Sequence, residues 1–175
     1  GAADMMVPRH RGAEIFDALP VHYRRSIAAW TGSYFAAVTK PVLRGTASKA
    51  VTDYVRLLDQ ALSVAPNRHH GEITRGMAFG DTLDLAWVDR RKAAMLSGEV
   101  LEFALPASYK RGRTGAWGTS DVNLHIAKST RGVYVRPISL HPSEDEVLMP
   151  RFKYRVVDYE QRDGTHHFWL EEAEE

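Results

Sequence analysis

The spacing of apolar residues changes once along this chain, near Gly98, and that change restricts the fold more than any other feature. Before it, "SKAVTDYVRLLDQALSVAP" sets Val51, Tyr54, Val55, Leu58 and Leu62 at i, i+3, i+4, i+7 and i+11. That is one face of a helix, with Ser48 as its cap and Pro66 as its stop. The same period in Ile27, Trp30, Tyr34, Phe35 and Val38 predicts a helix over 21–38 that Pro41 closes. "DTLDLAWVDRRKAAML" predicts a third, capped by Asp81 and ended by Gly98. After Gly98, "VLEFALP" alternates, with Leu101, Phe103 and Leu105 on one face, and "GVYVRPISL" reads as a second strand. "EVLMPRFKYRVVDYE" and "THHFWLE" flank Asp163-Gly164, a hairpin signal. Between these segments, "KRGRTGAWG" reads as a basic glycine-rich loop, and "DVNLHIAK" predicts a short helix from Asp121. Helices first and mainly antiparallel strands afterwards make an α+β chain, not a βαβ alternation.

With 175 residues, one domain is expected over 21–175, after an N-terminal extension over 1–20. Several chemistries are excluded at once. Cysteine is absent, so there are no disulfides, thiolate nucleophiles or cysteine-held metals. A formal net charge of +1 supplies no field to draw in nucleic acid or a membrane surface. No apolar run reaches the roughly 20 residues of a membrane helix. No phosphate-binding glycine loop, dinucleotide fingerprint or GxSxG elbow occurs. His69-His70 and His166-His167 are unsuited to a shared metal, because adjacent strand residues point to opposite faces. The final "EEAEE" reads as a frayed acidic tail.

Three short segments carry candidate chemistry. In "HPSEDEVLMPR", Glu144 and Glu146 leave the same face if both are extended, roughly 6.5 to 7 Å apart. Two carboxylates at such a separation can flank a reacting sugar, one stabilising an oxocarbenium-like centre and the other handling a proton. An acidic turn after Pro142 explains the same residues without chemistry. In "GEITRGMAFG", Arg75 before Gly76 offers a forked cation at the end of a short strand, able to hold a carboxylate or phosphate. A surface arginine before a turn is the plainer account. In "GAWGTSD", Thr119 and Ser120 supply hydroxyls among glycines, and Trp117 an aromatic face. Equally, Ser120 or Asp121 caps a helix and Trp117 packs in the core.

In chain order, these segments resemble the mono-ADP-ribosyltransferases of the Arg-Ser-Glu class, the family of bacterial toxins and type III effectors. "SIAAWTGSYFAAVTKPVLRG" is similar to the family's first helix, with Trp30 where a tyrosine is usual. "LLDQALSVAPNRHHGEITRGM" is similar to the second helix and the strand that ends in the family arginine, here Arg75. "AWGTSD" resembles the Ser-Thr-Ser strand, and "PSEDEVLMPRFKYRVV" the Glu-X-Glu segment, on Glu144 and Glu146.

The resemblance implies an antiparallel two-sheet core and NAD as substrate, with no metal. Glu146 then stabilises the charge that develops on the ribose when nicotinamide leaves. Glu144 orients and deprotonates an acceptor arginine, whose guanidinium is a poor nucleophile until it sheds a proton. Arg75, with Gly76, holds an NAD phosphate, while Trp117, Thr119 and Ser120 line the cofactor cleft, of which the 21–38 helix forms a wall. The implied partner is a host or competitor protein carrying that arginine, met by a monomeric effector secreted into host cytosol. One departure stands out: Gly118 occupies the place of the first serine, so a hydroxyl is missing there. Losing such a bond costs about 0.5 to 1.5 kcal/mol. That leaves two alternatives to transfer: a binding module that has lost turnover, and an NAD glycohydrolase.

Overall fold

A computed structural model describes residues 6–112 and 120–174. In chain order, its elements are α1 (Val21–Ala29), a wide helical turn Trp30–Tyr34, α2 (Phe35–Leu43), α3 (Lys49–Val64), β1 (Arg68–Met77), α4 (Leu85–Ser97), β2 (Leu101–Glu102), β3 (Ala107–Arg111), β4 (Val122–Tyr134), β5 (Glu146–Met149), β6 (Lys153–Arg162) and β7 (Thr165–Glu172). The chain is α+β, as its change of period predicts. It divides into two compact units: residues up to His69 with Ala104–Ser108 and Arg131–Arg151, and His70–Phe103 with Tyr109–Thr130 and the chain from Phe152.

The first unit is built on helix packing. Ile27, Val38, Leu58 and Leu62 are fully buried in one apolar cluster with Val133, Ile138 and Leu148. Each such side chain contributes about 1.5 to 3 kcal/mol relative to exposure. Phe16 and Leu19, from the stretch expected as an extension, are buried in the same cluster. Ser48 caps α3 as expected, accepting the Val51 N–H at 3.3 Å. The antiparallel pairing of β4 with β5 sets Val133 opposite Leu148 and Tyr134 opposite Val147. Gly132 permits it, because a Cβ there would overlap Val147.

The single helix expected over 21–38 is instead broken. Gly32 has φ −89° and ψ −130°, outside helical space, within the wide turn that separates α1 from α2. The cause is distant in sequence. Leu140 N–H donates to Thr31 Oγ1 at 3.0 Å, and a Cβ on Gly32 would stand 2.6 Å from Leu140 Cδ1. Pro41 also lies inside α2, which continues to Leu43. A proline withholds one backbone donor, and the helix ends shortly after it, not at it.

The second unit is a sheet covered by α4. β6 and β7 form the expected hairpin, with Asp163 at φ 51° and Gly164 at φ 83°. Two consecutive positive φ values match the right-handed strand twist, which explains the Asp-Gly pair. β7 also pairs in parallel with the first half of β4, from Val122 opposite His166 to Ile126 opposite Leu170. The Trp87 ring of α4 meets Phe168 edge-on at 5.9 Å. Gly98 ends α4 at φ 72°, as expected, but its cap is Asp84, which accepts the Trp87 N–H at 3.0 Å, and not Asp81.

Other expectations in this unit give way to pairing. "DVNLHIAK" is strand, not helix, because Val122, Leu124 and Ile126 alternate into the core at period two. Asp121 caps nothing there; its carboxylate accepts the Phe79 N–H at 2.7 Å. Lys110 and Arg111 belong to β3 and not to a loop, while only Leu101–Glu102 of "VLEFALP" is strand. Two residues of the acidic end are anchored: Glu172 accepts the Thr130 N–H at 2.7 Å, and Ala173 donates its N–H to the Lys153 carbonyl at 2.8 Å.

Candidate active site

Glu146 opens β5, whose four residues are all buried. It is only 3% exposed, which for a carboxylate requires donors around it. Ser108 of β3 provides one: its Oγ donates to Glu146 Oε2 at 2.6 Å. The main chain is tied as well, since the Val135 N–H donates to the Glu146 carbonyl at 3.2 Å. An acid fixed at both ends can present its charge without reorganising when a cation forms beside it.

Glu144 stands differently. It is half-buried and closes the 3₁₀ turn Pro142–Glu144, and Asp145 follows in the left-handed region at φ 52°. The premise of two extended residues on one face therefore does not describe this pair. The two glutamates are joined through a bend, and their relation is set by Asp145. That residue is held too, its Oδ1 accepting a hydrogen bond from the Tyr134 hydroxyl.

In the second unit, β1 runs through Arg75 and Gly76 to Met77, so the arginine lies inside the strand and not at a turn. Ile73 and Thr74 are fully buried. Thr74 Oγ1 donates to the Gly112 carbonyl at 2.6 Å, while the Gly112 N–H donates to the Glu72 carbonyl at 2.9 Å. Burial pushes the Tyr109 phenol up, and the positive charge of Arg75 acts in the opposite sense. Gly76 brings Ser120 against β1: a Cβ on Gly76 would overlap Ser120 Oγ and come within 3.3 Å of Asn123 Oδ1. That Oδ1 is buried without a hydrogen-bond partner. Gly76 and Ser120 are thus neighbours, with Arg75 preceding Gly76 in β1, whereas Trp117, Gly118 and Thr119 lie outside the described residues.

Ser108 is the residue that sequence reasoning missed. In the sequence, hydroxyls among glycines point to Thr119 and Ser120, while the donor on Glu146 comes from "LPASYKR". Nothing in that heptapeptide marks it, because its role depends on a partner 38 residues away. Of the histidines, His166 bonds the Tyr159 hydroxyl at 2.7 Å, while His167, on the other face of β7, meets His125 at 2.9 Å. Among the described residues no group of three or more His, Asp or Glu side chains is arranged to hold a metal ion.

Helices that lead into a mainly antiparallel sheet make up the fold of the ADP-ribosyltransferases of solved structure, and this chain has that fold. Among solved structures, ADP-ribosyltransferase HopU1 of Pseudomonas syringae pv. Tomato DC3000 matches over 91% of this chain and 80% of its own, at a TM-score of 0.72 and 16% identity. Plx2a, an ADP-ribosyltransferase toxin from Paenibacillus larvae, matches over 93% and 90%, at 0.68 and 18%. Exoenzyme S from Pseudomonas aeruginosa, solved with human 14-3-3 protein beta and carba-NAD, matches over 93% and 79%, at 0.67 and 18%. No protein-family model and no curated protein sequence matches the chain.

Proposed function

We propose that this protein transfers ADP-ribose from NAD to an arginine of a target protein. The observation that carries the reading is Glu146, a buried acid at the head of β5 whose carboxylate is oriented by Ser108. Cleavage of the nicotinamide–ribose bond sends the bonding electrons out with nicotinamide and leaves positive charge on the ribose. Glu146 stabilises that charge. The acceptor guanidinium bonds to the ribose carbon through one nitrogen, and Glu144 takes the proton that nitrogen sheds. Arg75 pairs with an NAD phosphate through its planar fork. Gly76 and Ser120 contact the dinucleotide close to the backbone, together with Trp117 and Thr119. NAD is substrate here, and no metal is called for. The fold's occurrence in the type III effector XopAI from Xanthomonas axonopodis pv. citri and in the toxin Plx2a supports a secreted protein that meets its target in a host cell or a competitor.

The reading without turnover drew on the hydroxyl missing at Gly118. Ser108 weakens that argument, since Glu146 already has a serine donor. The test is incubation of wild type and Glu146→Ala with labelled NAD and host lysate. Protein labelling that the substitution abolishes is expected. Nicotinamide release without labelling selects a glycohydrolase, and no detectable NAD binding by calorimetry leaves only the binding module.

A further inference from the structure

We infer that Asp145 and Tyr134 are positioning residues that set where Glu144 presents its carboxylate, an inference that rests on the acceptor role proposed for Glu144. The residue between the two glutamates is the most constrained point of the segment. Asp145 has φ 52° and ψ 47°, a conformation that few side chains other than Asn and Asp enter readily. Its carboxylate accepts from the Tyr134 hydroxyl. Tyr134 is itself immobilised by Asn67, which accepts its N–H at 2.9 Å through the main chain and donates to its carbonyl from Nδ2 at 2.7 Å.

The other end of the segment is also fastened. His10 Nε2 meets the Ser139 carbonyl at 2.8 Å, and the Leu140 N–H meets Thr31 Oγ1 at 3.0 Å. The segment from Ser139 to Glu146 is therefore held at entry and exit. The two glutamates depend on different supports. Glu146 has Ser108 and the β5 backbone, which remain if Asp145 is released. Glu144 sits in a single short turn whose exit angle is the left-handed Asp145. Breaking the Tyr134–Asp145 bond should thus displace Glu144 while leaving Glu146 in place.

The test compares NAD hydrolysis with transfer to agmatine, a small guanidine acceptor, in Tyr134→Phe, Asp145→Ala, Asp145→Asn and Asp145→Gly. Tyr134→Phe and Asp145→Ala should lower transfer roughly ten- to a hundredfold, the scale of a misplaced group. Hydrolysis and the KM for NAD should stay within about twofold of wild type. Asp145→Asn, which keeps the backbone preference and an oxygen acceptor, should recover most of the loss. Asp145→Gly keeps the bend but not the bond, so full transfer activity in it would overturn the proposal. An equal fall in hydrolysis and transfer would do the same, since it would signal general loosening. Amide hydrogen exchange at Glu144–Glu146 does not depend on turnover and should accelerate in Tyr134→Phe. If the wild type neither hydrolyses nor transfers, the proposed function fails; unchanged exchange overturns the positioning role by itself.

Discussion

Glu146 and Arg75 are fixed in opposite ways. The glutamate is held by groups brought to it: the Ser108 hydroxyl on its carboxylate and the Val135 N–H on its carbonyl. The strand bearing the arginine is seated by a group left out, the Cβ of Gly76, whose space Ser120 Oγ takes. The first arrangement should fail chemically, with the fold intact, when a donor is deleted. The second should fail sterically, through the backbone, when an atom is inserted. Substitutions at the two places therefore separate loss of chemistry from loss of packing.

The largest effect is expected at the glutamate itself. Glu146→Gln keeps the volume of the side chain and an oxygen able to accept from Ser108, but removes the charge. NAD cleavage should fall about 10²- to 10⁴-fold, while thermal melting moves little. A melt that collapses along with activity would make Glu146 a structural acid and break the comparison. Ser108→Ala comes next. Hydrogen bonds to charged groups contribute about 1.5 to 3 kcal/mol, so roughly a ten- to hundredfold loss of cleavage is expected. Ser108→Thr should retain much of the rate, and steady-state kinetics on the three proteins decide the matter.

What could be read from sequence is what is decided locally. Helix α3 and the β6–β7 hairpin were legible because a serine cap, a 3.6-residue period and an Asp-Gly turn act over a few residues. The break at Gly32 was not, since its cause, Leu140, is over a hundred residues away. β4 was misread because an aspartate before an apolar stretch resembles a helix cap, and only its register with β7 makes it a strand. The same division runs through the site. Glu144, Glu146 and Arg75 stand out as types in a pattern, whereas Ser108 needs β3 brought to Glu146, and Asp145 gains a partner only with Tyr134 beside it.

The packing arm of the comparison is Gly76→Ala. The added methyl meets Ser120 Oγ at overlap distance, and such overpacking costs about 1 to 3 kcal/mol. Chemical denaturation should show the loss, and Ser120→Ala in the same chain should restore part of it. Additive effects of the two substitutions would mean that the hydroxyl is not what Gly76 accommodates.

The smallest effect is electrostatic and lies in the second unit. His125 is held down to about 4 from its ordinary 6.5, first by burial and then by His167, with Glu72 acting against both. His125 also stacks on Trp169 at 4.9 Å. Between about pH 6.5 and 4 the unfolded chain binds a proton at His125 that the folded chain refuses. Stability must therefore fall as pH falls through that window, and be fully present above it. Because the ring is only partly buried, the change is expected to be only about 1 kcal/mol. His125→Phe keeps a ring against Trp169 and removes the titration, so denaturant melts at pH 6.5, 5.5 and 4.5 should show a shallower acid slope than wild type. Equal slopes would assign the acid sensitivity of this unit to other groups.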